Sequence, residues 1–411
     1  MKNKNFLLYL TIAGIVAGGF CGWMFGKTML TVAWVGELFL DALKMLVIPL
    51  IISSMIVGIA GLGDIRKVGK TGVITIIYYT LTTAISVVIG LVVVNLLEPG
   101  IGMDNSELTI PKHVAAKEAT GLTDVLKSFI SPNLIQSMAN MDILPLIVFS
   151  LIFGGVLTTM GKKGEHVISF FDGVNLAIMK MVHLVMYFAP LGIFGLIASK
   201  LGVAGGGDLF LAELTKIGKY VLTVLSGLLL HGIIVLPALL YLFTGRNPLV
   251  YFKNVLEALL TAFSTASSSA TLPVTIECAE EKNNVPRKAA LFVLPLGATV
   301  NMDGTAMYEA VAAIFIAQMF GIQLDFTGQA IIFLTATLAA VGAAGIPEAG
   351  LVTMVMVLQS VGLPLEGIGM LLAIDWFLDR CRTTLNVWGD SIGAAVIDSL
   401  EQKLIEEGEA E

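Results

Sequence analysis

The chain has 411 residues, of which 56% are hydrophobic and only 13% charged. Soluble domains carry about 25% charged residues, so this composition excludes an ordinary soluble protein and predicts a polytopic membrane protein. The net charge of -7 argues against a nucleic-acid partner, because a phosphate-binding surface needs clustered Lys and Arg.

Apolar runs fill the first part of the chain, and each is long enough to cross about 30 Å of hydrocarbon as a helix. The first follows two lysines like a signal peptide, but its length and the later runs favour a membrane helix. Basic residues cluster at the N-terminus and at 61–70, 161–166 and 282–288. The positive-inside rule therefore predicts that both termini are cytoplasmic and that 98–140 lies outside. The apolar runs are 6–26, 33–60, 71–97, 143–160, 167–199 and 210–243.

Two later stretches are apolar but interrupted by small residues and a proline: FSTASSSATLPVT at 263–275 and AAVGAAGIPEAGLVT at 339–353. We predict two re-entrant hairpins, because irregular backbone at membrane depth must be buried in protein or line a cavity. A helix with a polar core follows each one, at 301–309 and at 375–390, which makes an internal repeat in opposite inferred orientations. Such pairs point to a transporter site near the midplane. The alternative is two buried helices that pack through glycine and serine.

The segment DWFLDRCRTTLNVWGD carries a polar stripe between two apolar runs. Asp375, Asp379, Arg382, Asn386 and Asp390 recur at spacings of four, three, four and four, which places them on one face of a helix. A charge at mid-bilayer costs about 2.5–3.5 kcal/mol, so the stripe must face protein, water, ions or a charged ligand. An adjacent acid and base can hold a zwitterion, with Asp379 taking an ammonium and Arg382 a carboxylate.

The polar helices also contain more carboxylates than their arginines can neutralise. Gly304 is expected to weaken the helix and free carbonyls near Asn301 to bind a cation beside Asp303. Asn386 and Asp390 offer similar hard oxygen ligands. The alternative is that the acids only neutralise Arg380 and Arg382. The acids concerned are Asp303, Glu309, Asp375, Asp379 and Asp390.

Glu309 shares a helical stripe with Asn301 and Thr305 and could carry a proton through a transport cycle. A permanent ion pair between Glu309 and Arg380 is the alternative that the residues leave open. The dispersed cysteines, Cys21, Cys278 and Cys381, indicate neither a disulfide framework nor a metal site. The four histidines lack the spacing of a zinc site, and we interpret all of them as structural.

Four strings resemble the glutamate transporter family, the dicarboxylate/amino acid:cation symporters that include excitatory amino acid transporters and archaeal aspartate transporters. The strings are SSSATLP, LPLGATVNMDGTAMYEAVAAIFIAQ, GIPEAGLVTMVMVL and DWFLDRCRTTLNVWGD. The likeness follows the order of segments over nearly the whole chain and is most specific over 263–400.

This resemblance implies an all-α polytopic fold with eight transmembrane helices, two re-entrant helical hairpins and inverted repeats, in a homotrimer with an elevator mechanism. A transport domain would move across a trimerisation scaffold within the cell membrane. The implied scaffold consists of 1–67, with helices 1 and 2, and 98–208, with helices 4 and 5 and an external loop. The implied transport domain consists of 68–97, which is helix 3, and 209–402, which contains helix 6, hairpin 1 at about 248–284, helix 7, hairpin 2 at about 326–362 and helix 8. Residues 403–411 would form a cytoplasmic tail.

The resemblance also implies roles for individual residues. Substrate would be bound by Ser267, Ser268, Ser269, Thr305, Ile346, Gly350, Asp379, Arg382, Thr383 and Asn386. One sodium site would use Gly297, Asn301, Asn386 and Asp390; another Tyr79, Thr82, Thr83, Asn301 and Asp303; and a third would lie near Thr299, Val341 and Ala343. Glu309 and Arg380 would serve proton or potassium coupling, and we expect them to pair.

Two departures from the archaeal pattern bear on substrate and coupling. Ala266 precedes the serines where archaeal members have arginine, and Arg380 is present, as in eukaryotic members. Glu309 matches proton-coupled members, whereas Ala266 and Glu348 differ from the residues usual in eukaryotic ones. These differences leave substrate preference and potassium counter-transport open.

We therefore predict a sodium-coupled and proton-coupled secondary symporter of L-glutamate and L-aspartate that uses no cofactor. A C4-dicarboxylate symporter and a neutral amino acid exchanger are the alternatives within the family, although Arg382 argues against a neutral substrate. A channel would show flux without coupling to a gradient. An intramembrane enzyme is disfavoured, because the sequence has neither a GxGD aspartate pair nor a serine with histidine in reach.

Overall fold

A computed structural model describes residues 2–60, 69–101, 129–140, 143–203, 208–341 and 349–409 of the chain. Every regular element in these ranges is helical, which confirms the all-α prediction. Ala343, Ile346 and Glu348, for which the sequence suggested roles, lie outside the described residues, as does most of the predicted external segment.

The helices are numbered here in chain order. The N-terminal half contains α1 (Lys2–Phe25), α2 (Ala33–Ala60), α3 (Gly69–Leu97), α4 (Leu134–Asn140), α5 (Ile143–Thr158), α6 (Lys162–Met186) and α7 (Ala189–Val203). The C-terminal half contains α8 (Asp208–Leu230), α9 (Leu236–Thr244), α10 (Pro248–Thr265), α11 (Ser268–Glu277), α12 (Arg287–Val300), α13 (Asp303–Met319), α14 (Phe326–Val341), α15 (Ala349–Ser360) and α16 (Ile368–Glu409).

Several helical stretches are apolar enough to lie in a membrane. By length and composition, Ala13–Phe39, Thr71–Leu97 and Ile217–Thr244 could each cross one, and shorter apolar helices include Pro145–Thr158 and Phe326–Val341. Their outer faces expose large side chains such as Leu38, Leu96 and Leu242. An apolar surface of this extent belongs in contact with lipid rather than with water.

The helices pack in two groups. In the first, α1 lies along α7, and α2 packs on α5, α6 and α7. Small residues allow this close approach: a Cβ on Gly18 of α1 would lie only 3.0 Å from the carbonyl oxygen of Phe194 in α7, as is usual between membrane helices. In the second group, α3 packs mainly on α13 and also on α8, α14 and α16. Helix α16 additionally contacts α9, α10, α12 and α13.

The first predicted interruption lies between α10 and α11. Ala266 ends α10 in a left-handed conformation with φ of 49°. Ser267 is extended, and its hydroxyl oxygen accepts a hydrogen bond from Ala270 N at 3.1 Å, which caps α11. The two helices then pack against each other. Helices α14 and α15 form a second packed pair, and the connection between them lies outside the described residues.

A third interruption separates α12 from α13 and corrects the role predicted for Gly304. Helix α12 ends at Val300, whereas Asn301 and Met302 have non-helical backbone angles and α13 starts at Asp303. Gly304 is therefore helical. A Cβ at Gly304 would lie 2.8 Å from the Arg382 carbonyl oxygen and 2.9 Å from its Cα. The glycine is needed for the close approach of α13 to α16, not to break the helix.

Candidate functional site

The polar stripe predicted at 375–390 lies on the single long helix α16, and its side chains are buried. Asp375, Asp379, Asn386 and Asp390 are at most 8% exposed, and Arg382 is completely buried. Trp376, which lies off the stripe, is exposed. The prediction that the stripe faces protein rather than lipid is confirmed.

Arg382 is held by two carboxylates and an aromatic ring. Its Nη2 atom lies 2.9 Å from Asp379 Oδ1 and 3.0 Å from Asp375 Oδ1. The guanidinium carbon lies 3.8 Å from the centre of the Tyr308 ring, a distance at which the ring face stabilises a cation. Arg382 Nε and Nη1 are buried and have no hydrogen-bond acceptor among the described residues. The guanidinium therefore keeps two donors with which it can bind an anionic group.

Helices α13, α15 and α16 meet around this arginine. Asn386 Oδ1 accepts a hydrogen bond from Gly304 N at 2.8 Å, and Asn386 Nδ2 lies 3.3 Å from Thr305 Oγ1. A Cβ at Gly350 would lie 3.2 Å from Thr305 Cγ2 and 3.3 Å from Arg382 Nη1. The structure thus brings five of the predicted substrate residues together: Thr305, Gly350, Asp379, Arg382 and Asn386.

The other predicted substrate residues that the structure describes lie on α16 and at the α10–α11 break. Thr383 is buried next to Arg382 in the chain. Ser267 and Ser268 are buried at the start of α11, while Ser269 is exposed. The N-terminal end of a helix carries a partial positive charge, which suits the start of α11 to an anion.

A first cluster of oxygen ligands surrounds Asp390. Asn301 Nδ2 donates to Asp390 Oδ1 at 2.9 Å and lies 3.5 Å from the Asn386 carbonyl oxygen. A Cβ at Gly297 would lie 2.5 Å from Asp390 Oδ1 and 2.7 Å from the Tyr79 hydroxyl. The four residues predicted for one sodium site therefore meet at one point, and Gly297 leaves room for the carboxylate.

A second cluster surrounds Asp303. Thr83 Oγ1 donates to Asp303 Oδ1 at 2.7 Å, and Thr82 Oγ1 lies 3.4 Å from both Asp303 Oδ1 and Asn301 Oδ1. Thr82 Oγ1 also donates to the Tyr79 carbonyl oxygen at 3.0 Å. Asn301 therefore connects both clusters, its amide nitrogen facing Asp390 and its amide oxygen facing Thr82. The Tyr79 hydroxyl points toward the first cluster and donates to Val293 O at 3.3 Å.

The chemistry of both clusters fits a monovalent hard cation. Each contains one carboxylate together with amide, hydroxyl or carbonyl oxygens, whereas a divalent calcium site commonly gathers several carboxylates. The backbone is non-helical at Asn301 and Met302, and interrupted helices of this kind bind Na+ in transporters. In the part of the chain that the structure describes, no group of three or more His, Cys, Asp or Glu could hold a metal ion.

The third predicted sodium site is not assembled by any described contact. Thr299 Oγ1 donates to Leu296 O within its own helix at 3.0 Å, and Val341 is the last residue of α14. Ala343, the remaining residue of that set, is outside the described ranges.

The predicted pairing of Glu309 with Arg380 is wrong in this structure. Arg380 is half-buried; its Nη1 donates to Trp376 O at 3.0 Å and its guanidinium carbon lies 5.8 Å from the Trp376 ring centre. Glu309 is completely buried, and no lysine or arginine among the described residues forms a salt bridge with it. Arg380 lies off the buried stripe, and its side chain contacts Trp376 on the same helix. Glu309 is on α13 and points into the interior.

Three functional candidates escaped the sequence reasoning. His231 Nε2 lies 2.9 Å from Asp303 Oδ2, although the sequence reading treated every histidine as structural. Ser86 Oγ donates to the Asp303 carbonyl oxygen at 2.8 Å, and Tyr308 contacts Arg382. A signal existed for His231 alone, because an ionisable residue within a membrane segment is a functional candidate. The contacts of Ser86 and Tyr308 depend on how the helices are rotated.

A helical membrane protein with a broken helix, a buried acid–base pair and oxygen clusters beside it has the features of a secondary transporter. The chain belongs to the sodium:dicarboxylate symporter family, whose model matches residues 7–400. This confirms the resemblance found in the motifs and makes Na+ a transported ion of the protein.

Similar proteins cover the chain nearly completely. Excitatory amino acid transporter 1 of Ambystoma tigrinum is 39% identical over 100% of this chain and 86% of its own length. Excitatory amino acid transporter 3 of Mus musculus is 38% identical over 98% of this chain and 87% of its own length. An excitatory amino acid transporter of Caenorhabditis elegans is 39% identical, with 96% and 88% covered.

Proposed function

We propose that this protein is a sodium-coupled and proton-coupled symporter of the acidic amino acids L-glutamate and L-aspartate. The observation that carries the proposal is the buried contact between Arg382 and Asp379, with oxygen-lined clusters at Asp303 and Asp390 close by. The names of the similar excitatory amino acid transporters support the same substrate class.

The charge balance around Arg382 favours a ligand that carries an ammonium group. Asp375, Asp379 and Arg382 together have a formal charge of -1. The ammonium of an amino acid can pair with Asp379, while its side-chain carboxylate takes the donors Nε and Nη1 of Arg382. A C4-dicarboxylate would bring two negative charges to a group that already has a formal charge of -1, and a neutral amino acid would leave Nε and Nη1 of Arg382 without an acceptor. Both are costly where charges are desolvated.

Two sodium ions would occupy the clusters at Asp390 and Asp303, and a third would lie near Thr299, Val341 and Ala343. No lysine or arginine of the described chain forms a salt bridge with Asp303, Asp390 or Glu309. Since an unpaired buried carboxylate is strongly unfavourable, cations are the natural partners of the two aspartates. Glu309 would take up a proton instead, with potassium counter-transport left open.

The architecture we propose has eight transmembrane helices and two re-entrant hairpins, α10–α11 and α14–α15, in a homotrimer. The packing supports a scaffold made of α1, α2, α5, α6 and α7 and a transport domain made of α3 and α8–α16, because each group packs mostly within itself. The transport domain would move as an elevator. The protein would lie in the cell membrane with both termini cytoplasmic.

Uptake into proteoliposomes tests this function. Labelled glutamate, aspartate and serine would be offered with sodium, proton and potassium gradients varied one at a time, and with unlabelled succinate as competitor. We expect an inward sodium gradient to drive accumulation of the acidic amino acids above their outside concentration. Flux without accumulation would indicate a channel, and complete competition by succinate would favour a dicarboxylate symporter.

A further inference from the structure

We propose that His231 is a positioning residue for sodium binding: it holds one oxygen of Asp303 so that the other faces the cation. This inference rests on the proposed sodium cluster at Asp303. His231 itself is not a ligand in this proposal and need not change its charge.

The two oxygens of Asp303 have different partners. Oδ2 lies 2.9 Å from His231 Nε2, and both side chains are completely buried. Oδ1 accepts from Thr83 Oγ1 at 2.7 Å and faces Thr82. An ionised carboxylate only accepts hydrogen bonds, so Nε2 must carry the proton that forms the histidine bond. The carboxylate is therefore fixed from one side by an imidazole and presents its other oxygen to the hydroxyl and amide oxygens.

His231 reaches Asp303 because the helix that carries it is irregular. His231–Val235 form a π-helical segment between α8 and α9, and such insertions are frequent at functional sites. The segment is tied to α16, because Trp388 Nε1 donates to the carbonyl oxygen of Gly232 at 3.0 Å. Trp388 lies two residues before Asp390, so the segment that carries His231 is anchored to the part of α16 that bears the other carboxylate cluster.

Partners of this kind strengthen a cation site without touching the cation. A group that hydrogen-bonds a ligand fixes its orientation, and the loss of such a group typically weakens metal binding by about 10–100-fold. Without His231, the Asp303 carboxylate would be held only through Oδ1, and Oδ2 would be a buried acceptor that has lost its donor. The effect should appear in sodium affinity rather than in substrate recognition.

The test compares His231→Leu, which removes the donor, with His231→Gln, whose amide nitrogen can replace Nε2. His166→Leu is the matched control, because His166 is exposed on α6. Aspartate uptake into proteoliposomes would be measured over a range of sodium concentrations, and the KM for aspartate would be measured at saturating sodium. A second readout that needs no transport is the sodium-dependent rise in Tm of the purified protein.

We expect His231→Leu to raise the half-saturating sodium concentration about tenfold in both assays. The KM for aspartate at saturating sodium should return close to the wild-type value, because excess sodium restores a site that is weakened but intact. His231→Gln should restore most of the sodium affinity, and His166→Leu should leave both quantities unchanged.

Failure of this inference differs from failure of the proposed function. If wild-type protein shows neither sodium-dependent uptake nor a sodium-dependent Tm, the sodium function is wrong. If the wild type shows sodium-dependent uptake and a sodium-dependent Tm, and His231→Leu has the same half-saturating sodium concentration as the wild type, the positioning role is wrong. A glutamine variant that folds but binds sodium as poorly as the leucine variant would overturn the donor role as well.

Discussion

At the scale of single residues, the buried charges on α13 and on the 375–390 stripe of α16 form two groups. One is the set paired with Arg382, and the other is three acids that have no lysine or arginine partner among the described residues. Arg382 is neutralised by Asp375 and Asp379. Asp303, Glu309 and Asp390 form no ion pair with a lysine or arginine of the described chain, and only Asp303 has a histidine. Burying an unpaired charge is costly, so these acids are the positions at which cations or protons should couple to transport.

Substituting Arg382 by Cys should abolish uptake of acidic amino acids and also lower stability. The substrate loses its anion-binding group, and Asp375 and Asp379 are left buried without a counter-charge, which typically costs about 3–5 kcal/mol. Uptake and Tm would be measured together. Adding Asp375→Asn to Arg382→Cys should recover much of the Tm but none of the uptake. Aspartate uptake by either variant would contradict the role of Arg382.

Substituting Glu309 by Gln should make transport independent of pH. The two side chains have nearly the same shape, but glutamine cannot exchange a proton at this completely buried position. Sodium-driven uptake would be measured between pH 5 and pH 9, together with any proton flux that accompanies it. Proton flux that continues in the glutamine variant would exclude Glu309 as the carrier.

At the scale of the helices, the site depends on interruptions and close contacts rather than on regular geometry. At the break between α12 and α13, the Asn301 side chain contacts both clusters. The π-helical segment at His231–Val235 brings an imidazole to Asp303. The approach of α13 to α16 at Gly304 lets Asn386 accept a backbone hydrogen bond. In each case a polar group on one helix contacts a group on another.

Substituting Gly304 by Ala should therefore weaken both folding and substrate binding. The new Cβ would lie 2.8 Å from a backbone oxygen of Arg382, so α13 and α16 would have to separate and lengthen the bond from Gly304 N to Asn386. Overpacking of this kind typically costs about 1–3 kcal/mol. The measurements are Tm and the KM for aspartate. Gly218→Ala on α8 is the control, since a Cβ there meets nothing within 4 Å. If both variants had the same Tm and the same KM for aspartate, the close contact of α13 with α16 would not be important for folding or binding.

At the scale of the whole molecule, the two groups of helices should move relative to each other during transport. Leu196 on α7 belongs to the proposed scaffold and Gly369 on α16 to the proposed transport domain. A Cβ at Gly369 would lie 2.9 Å from Leu196 Cβ, close enough for a disulfide after a small adjustment toward the usual spacing of about 3.5–4.5 Å.

A disulfide between Leu196→Cys and Gly369→Cys should stop uptake, and a reductant should restore it. The native cysteines Cys21, Cys278 and Cys381 would first be replaced, and the replaced protein must retain uptake. The control pair is Gly18→Cys with Ile197→Cys, because both positions lie within the scaffold group and a Cβ at Gly18 would be 3.3 Å from Ile197 Cβ. Full uptake with the Leu196–Gly369 disulfide formed would rule out the elevator movement.

The sequence by itself determined the class of the protein and the buried stripe on α16, and the family resemblance indicated most of the residues that meet at the two carboxylate clusters. These properties are local: hydropathy and the helical period decide which residues lie on a common face, and the motif strings indicated the family.

Only the tertiary structure decided which polar groups meet across helices. Asn301 connects two clusters, His231 binds Asp303, Gly304 supports a helix contact and Arg380 turns away from Glu309. Such contacts depend on the rotation and separation of helices that are far apart in the chain. A spacing along one helix fixes the face on which a residue lies but not the group opposite it. Partners across helices are therefore set by packing, which is a property of the folded molecule as a whole.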